Sequence, residues 1–247
     1  MQHLSWGTDK PTVVLVHGGF ADATNSWEGE VKRLQDRGYP VVAPANPLRG
    51  LATDSAYLAS VLDSIEGPIV LVGHSYGGAV ITNAAANDPD VKALVYIAAF
   101  VPDTGESLGE LISKYPGSEI EAALNHVPYP NPDGSTGTDL YLKADKFREV
   151  FAADLPTSTT TVMSATQRPF SAQAFADSTQ AVAWHTIPSW GLVSTADKAI
   201  PANLQRFEYE RAGARKVVEV EGASHSVMAS QPGAVTNLII EAANATD

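Results

Sequence analysis

Three residues in this 247-residue chain have the types and the order for covalent chemistry: Ser75, Asp197 and His225. Ser75 lies in Gly73-His74-Ser75-Tyr76-Gly77, which fits G-x-S-x-G. A serine hydroxyl attacks a carbonyl only when it projects from a sharp strand-to-helix turn, and small residues beside it let that turn close. The bare pattern is common. Here it follows the apolar run Ile69 to Val72 and opens a helical pattern at Tyr76, the context that the chemistry requires. The rival reading is a plain glycine turn with Ser75 capping the next helix.

A serine nucleophile needs a base, and the chain has six histidines. His17 and His74 sit inside glycine-rich turns and read as structural. His3 is terminal, and His126 and His185 fall in a long insertion where they either touch substrate or simply pack. His225, in "EVEGASHSVMAS", follows the last predicted strand. A loop at the carboxyl end of a parallel strand faces the crevice where open α/β sheets bind ligands, so His225 is the expected base. The base needs a carboxylate to fix its tautomer. Asp197, in "SWGLVSTADKAIP", follows another predicted strand, and Asp103 is its competitor. The chain order Ser75, Asp197, His225 is the one expected on such a sheet. The developing oxyanion needs backbone donors: the Tyr76 amide after the nucleophile, then Gly19, with Phe20 next, from the loop "HGGFADATNSW".

Short β-branched runs over 12–19, 39–45, 68–75, 91–100, 188–195 and 215–222 read as strands. Most are apolar at consecutive positions, as suits strands covered on both faces of a parallel sheet. Helical patterns alternate with them and end in Gly or Asp-Pro. This predicts an α/β fold, a mostly parallel doubly wound sheet. The alternation stops between residues 101 and 186, which read as helices and turns without a strong strand. The expected division is therefore a core of 1–100 and 187–247, with a helical cap of 101–186 inserted before the penultimate strand. Phe151, Phe170 and Trp184 of that cap are candidate substrate-binding residues, although aromatic residues at helical spacing more often simply pack.

Composition narrows the function. Acidic residues number 28 and basic residues 16, a formal charge of −12. That balance repels phosphate backbones and anionic lipid, so no nucleic-acid partner and no membrane insertion is expected. The longest apolar run, Ala93 to Val101, is nine residues, against about 20 for a membrane span. With no cysteine there is no disulfide, no thiolate nucleophile and no Cys-ligated zinc. The expected partner is a small molecule, with no metal and no organic cofactor, in a monomer or homodimer. The N-terminus lacks a basic stretch before an apolar core. That predicts a cytoplasmic protein, secretion remaining open if an upstream signal was removed.

These segments together resemble the α/β-hydrolase fold of serine hydrolases. The motifs lie at 14–27, 46–51 ("NPLRGL"), 70–81 ("VLVGHSYGGAVI"), 190–201 and 222–228 ("GASHSVM"). In particular they are similar to a bacterial esterase branch related to the plant salicylate-ester esterase and hydroxynitrile lyase group. The resemblance implies hydrolysis of carboxylic esters, including lactones or aryl esters, through an acyl-enzyme. One departure is expected: the two leading strands of that fold are short or absent here, since only eleven residues precede Thr12. Plant hydroxynitrile lyases carry a lysine directly after the catalytic histidine, where this chain has Ser226, which argues against cyanohydrin cleavage. A cofactor-free carbon–carbon hydrolase or lyase, a perhydrolase and a non-catalytic ligand-binding receptor on the same scaffold are the alternatives.

Overall fold

The computed structural model describes residues 10–246. His3 and residues 1–9, on which the expectations about a leader segment and the leading strands bear, lie outside them. The chain begins in strict alternation: β1 (Thr12–Val16), α1 (Ala23–Asp36), β2 (Val41–Val42), α2 (Leu51–Asp63), β3 (Ile69–His74), α3 (Tyr76–Ala84) and β4 (Val91–Ile97). It then leaves the sheet for α4 (Leu108–Ile112), β5 (Leu124–Pro130), β6 (Thr136–Leu142), α5 (Ala144–Phe151), α6 (Thr157–Ala165), β7 (Phe170–Ser171) and α7 (Gln173–Ala176). It returns through β8 (Ser189–Ser194), α8 (Ala202–Arg211), β9 (Lys216–Val220), α9 (Val227–Ser230) and α10 (Pro232–Ala245).

Six strands form one sheet in the order β2-β1-β3-β4-β8-β9, and every neighbouring pair is parallel. The consecutive apolar residues of these strands have a direct physical reason. Side chains alternate across a strand, and both faces are covered. Val14, Val16, Leu71 and Leu94 join one core cluster, with Leu58, Ile81 and Leu204 of the helices on that side. Val13, Leu15, Val70, Val72 and Val95 join the other, with Trp27, Val227 and Leu238. The edge strand β9 is largely exposed and carries charge, with Lys216 paired to Glu241 and Arg206 paired to Glu219. Among the described residues no helix is long and apolar enough to cross a membrane.

The insertion departs from the expectation of helices and turns alone. Its helices are present, but β5, β6 and β7 form a three-stranded antiparallel sheet. Strands β5 and β6 pair in full register from Leu124–Leu142 to Pro130–Thr136. The turn between them contains Asp133-Gly134, with Gly134 at φ +87° and the Asp133 carboxylate accepting the Ser135 amide. That Asp-Gly step is a hairpin signal inside what reads as a merely turn-rich stretch. Pro128 and Pro130 argue against a strand, but β5 is an exposed edge strand, where proline is tolerated.

Helix α1 holds a buried anomaly. Glu30 is fully buried, and neither carboxylate oxygen has a hydrogen-bond partner among the described residues. Burial pushes its pKa up to about 9, so it is a neutral acid at neutral pH.

Candidate active site

Ser75 stands between the end of β3 and the start of α3, with φ 54° and ψ −124°. A non-glycine residue is held there only when its surroundings fix it. The fixing is tight. The Ser75 amide donates to the Ile97 carbonyl at 3.4 Å, and its carbonyl accepts from Phe100 N at 3.1 Å and Gly78 N at 2.9 Å. A Cβ on Gly77 would collide with the Val16 carbonyl, so only glycine lets the turn pass so close to β1. A Cβ on Gly18 would lie 2.8 Å from the Ser75 Cβ and 3.2 Å from Tyr76 N. The loop after β1 is thus packed directly on the serine turn.

Asp197 and His225 meet at the carboxyl ends of β8 and β9. His225 Nδ1 lies 2.7 Å from Asp197 Oδ2, and both side chains are buried. The carboxylate is held on every side. Its Oδ1 accepts from Ala199 N at 2.8 Å and Ile200 N at 2.9 Å, and its Oδ2 also accepts from Gln205 Nε2 at 2.9 Å. An acceptor so placed receives the hydrogen bond of a proton kept on His225 Nδ1 and leaves the Nε2 lone pair for a second partner. Asp103, the rival acid, instead faces His185 Nε2 at 2.9 Å on the surface.

His74 links the serine turn to the histidine loop. Its Nε2 donates to the His225 carbonyl at 2.7 Å, and the two rings lie 4.5 Å apart. Burial first, then the neighbouring His225, holds its pKa well below the usual imidazole value. A neutral ring can keep its one proton on Nε2 for that bond. His17 does similar work for the loop after β1. Its Nε2 accepts from Asn46 N at 2.9 Å, and its Nδ1 donates to the Gly18 carbonyl at 2.8 Å. Burial pushes its pKa down to about 4.

The predicted oxyanion donors sit around the same turn. Tyr76 is the first residue of α3, so its amide has no helical partner. Phe20 is in the left-handed region, at φ 60°, and its amide has no hydrogen-bond partner among the described residues. Gly19 lies under the Phe170 ring, with the nearest ring carbon 2.5 Å from where a Cβ would be.

Of the three cap residues singled out, two stand beside the site. The Phe151 ring meets the His225 ring edge-on at 5.1 Å. Phe170 packs on Tyr76 at 4.8 Å and on Phe20 at 5.5 Å. Trp184 does not join them: its indole donates to the Pro102 carbonyl, and its ring neighbours are His185 and Arg211. His126 is exposed on β5. A cavity of about 490 Å³ opens in the cap, with Ile112, Tyr115, Ile120, Leu124 and Leu140 among its walls. Phe175 forms another wall and lies 5.2 Å from Phe170.

The cap also grips the histidine loop, through the Phe151 carbonyl and through Asp154, which the sequence did not single out. Ser226 N donates to the Phe151 carbonyl at 2.9 Å, and Asp154 accepts both the amide and the hydroxyl of Ser224. Gln205 was likewise missed. Its side chain carries no chemistry of its own, and nothing in its spacing marks it as the anchor of Asp197.

The sequence profile of the alpha/beta hydrolase family matches residues 13–238. Putative methylesterase 11, chloroplastic, of Arabidopsis thaliana is 25% identical over 247 aligned residues, covering 93% of this chain; the chain spans only 63% of that relative's length. Polyneuridine aldehyde esterase of Rauvolfia serpentina is 28% identical, with 92% of this chain and 94% of that protein covered. The crystal structure of polyneuridine aldehyde esterase superposes with a TM-score of 0.81 at 24% identity, covering 94% of this chain and 98% of that one.

Proposed function

Because the chain belongs to the alpha/beta hydrolase family, we propose that it hydrolyses a carboxylic ester through an acyl intermediate on Ser75. The carrying observation is the buried 2.7 Å pair of His225 Nδ1 and Asp197 Oδ2, in a loop tied through His74 to the strained strand-to-helix turn of Ser75. The names of the relatives, esterases of two kinds, support the same reaction class.

In this reading His225 Nε2 takes the proton from Ser75 Oγ as the oxygen attacks the ester carbonyl. The amides of Tyr76 and of Gly19 or Phe20 stabilise the negative oxygen of the tetrahedral intermediate. His225 passes the proton to the departing alkoxide, and the alcohol leaves. It then takes a proton from water, which attacks the acyl group and releases the acid, and returns that proton to Ser75. Asp197 stabilises the imidazolium in both halves without becoming protonated.

Residues 101–186 act as the cap over this centre. Phe151 and Phe170 form its inner wall. The apolar cavity behind Phe175 suits the apolar arm of the ester, since pockets of roughly 300–1,000 Å³ with apolar walls are typical of small-molecule sites.

The test is direct. A fluorophosphonate should label the protein once per chain, at Ser75, and p-nitrophenyl esters of two to eight carbons should turn over. An unlabelled protein that leaves all of these esters intact would remove the hydrolase reading in favour of a ligand-binding role.

A further inference from the structure

The turn between β2 and α2, residues 47–50 of the NPLRGL segment, touches both the cap and the serine turn. Toward the cap, Arg49 Nη2 donates to Asp139 Oδ1 on β6 at 2.8 Å and to the Pro169 carbonyl at 2.7 Å. The Leu48 carbonyl accepts from Ser171 N on β7 at 2.9 Å. The guanidinium also lies over the Tyr129 ring of β5, 5.0 Å from its centroid. Every strand of the cap sheet is therefore engaged by two adjacent residues of the core. Leu48 itself is in the left-handed region, at φ 62°, a conformation that bonds on both sides can hold.

Toward the core, the Arg49 amide donates to both oxygens of Asp54, at 3.1 Å each. Asp54 lies in the first turn of α2, and its Oδ2 accepts the Tyr76 hydroxyl at 2.6 Å. Both side chains are about 1% exposed. Tyr76 is the residue after the nucleophile, and its ring packs on Phe170, which covers Gly19. A buried phenol bonded to a buried carboxyl group is a short contact with little freedom, even though burial raises the Asp54 pKa. Burial raises the pKa of Tyr76 well above its usual range, so the phenol keeps its proton and remains the donor.

We propose that Asp54 is a positioning residue: through the Tyr76 hydroxyl it fixes the first turn of α3, and hence the Tyr76 amide, to the same turn that clasps the cap. The cap strands, Arg49, Asp54 and the oxyanion amide then form one mechanical unit. This inference rests on the hydrolase reading above. It predicts that a change on β6, at the far end of this unit, reaches the chemistry of even a small ester.

The experiment uses the full chain and p-nitrophenyl acetate. Tyr76→Phe removes only the donor, Asp54→Asn weakens the acceptor, and Asp139→Asn loosens the far end. Thermal unfolding and fluorophosphonate labelling accompany the kinetics. Tyr76→Phe and Asp54→Asn should each lower kcat about tenfold with KM changed less than about twofold, because the lost contact acts on the transition state. Their double variant should be no slower than the slower single one, as expected of one coupled unit. Asp139→Asn should lower kcat on the same ester by about threefold, with its KM also unchanged.

Variants that fold and keep the wild-type kcat overturn the inference, as does a double variant whose losses multiply. Should Asp54→Asn fail to fold, Tyr76→Phe with Asp139→Asn decides by the same criteria. A wild-type protein that neither labels nor turns over removes the hydrolase reading and the positioning role together. An active wild type with unaffected variants removes the positioning role alone.

Discussion

The turn that carries Ser75 and the loop that carries His225 stand side by side and are held in different ways. The serine turn is held by its own backbone: a strained φ, close glycine contacts and bonds to β4 and its following loop. The histidine loop is held by side chains and carbonyls from elsewhere. His74 holds the His225 carbonyl from the core, Phe151 and Asp154 hold its neighbours from the cap, and Asp197 holds the ring. The serine turn thus rests mainly on backbone contacts, and the histidine loop on side chains and carbonyls from several elements.

Substitutions can break this comparison, the strongest first. Ser75→Ala should lower kcat at least about 10⁴-fold with the circular dichroism spectrum unchanged, since members of such a triad act as a unit. Retained activity would show that some other group attacks. Asp197→Asn should cost about 10⁴-fold in kcat by allowing the wrong histidine tautomer, whereas Asp103→Asn should stay within about twofold on the same substrate. A reversal of that pair would move the acid to the other loop.

Asp154→Asn sharpens the contrast. It weakens the grip on Ser224 without touching the serine turn, so kcat should fall about tenfold while the rate of fluorophosphonate labelling falls in parallel. Unchanged kinetics would mean that the histidine loop holds itself.

The smallest effect concerns α1, the helix packed against α9 just after that loop. The folded pKa of Glu30 is raised to about 9 from the ordinary 4.5. The folded state therefore binds more protons than the unfolded state between those values, and stability falls as pH rises through that window. The slope contributed is at most about 1.4 kcal/mol per pH unit. Glu30→Gln should remove it, so the variant's advantage in denaturant midpoint grows from pH 5 to pH 9 and then levels off. A constant difference across that range would show that Glu30 is not the neutral acid described above.

The contrast between turn and loop also explains what could be read before the fold was known. The inner strands β1, β3, β4 and β8 were legible because burial on both faces leaves a run of apolar letters. The Ser75 turn was legible because its glycines and serine form a compact pattern between an apolar run and a helical one, whatever distant residues require them. Asp197 and His225 stood out as a carboxylate and an imidazole just past strands, a position with a general meaning on such sheets.

Gln205, Asp154 and Asp54 did not stand out. Each matters only for what it touches, 8, 70 and 22 residues away along the chain. The hairpin of the cap was missed for a related reason. The prolines of β5 are poor strand formers, acceptable only at an exposed edge, and nothing local says where an edge will be. Trp184 illustrates the converse: its type suits a pocket wall, but its indole found the Pro102 carbonyl instead.

The clasp of Phe151 and Asp154 on residues 224–226 has a consequence for biosynthesis. During translation the Ser75 turn gains its backbone bonds once α3 and the loop after β4 have emerged, while residues 224–226 come well after and are clasped by a segment made some 70 residues before them. Under the proposed mechanism, an unfinished or misassembled chain would carry an inert hydroxyl, and reactivity toward esters would arrive together with the completed tertiary structure.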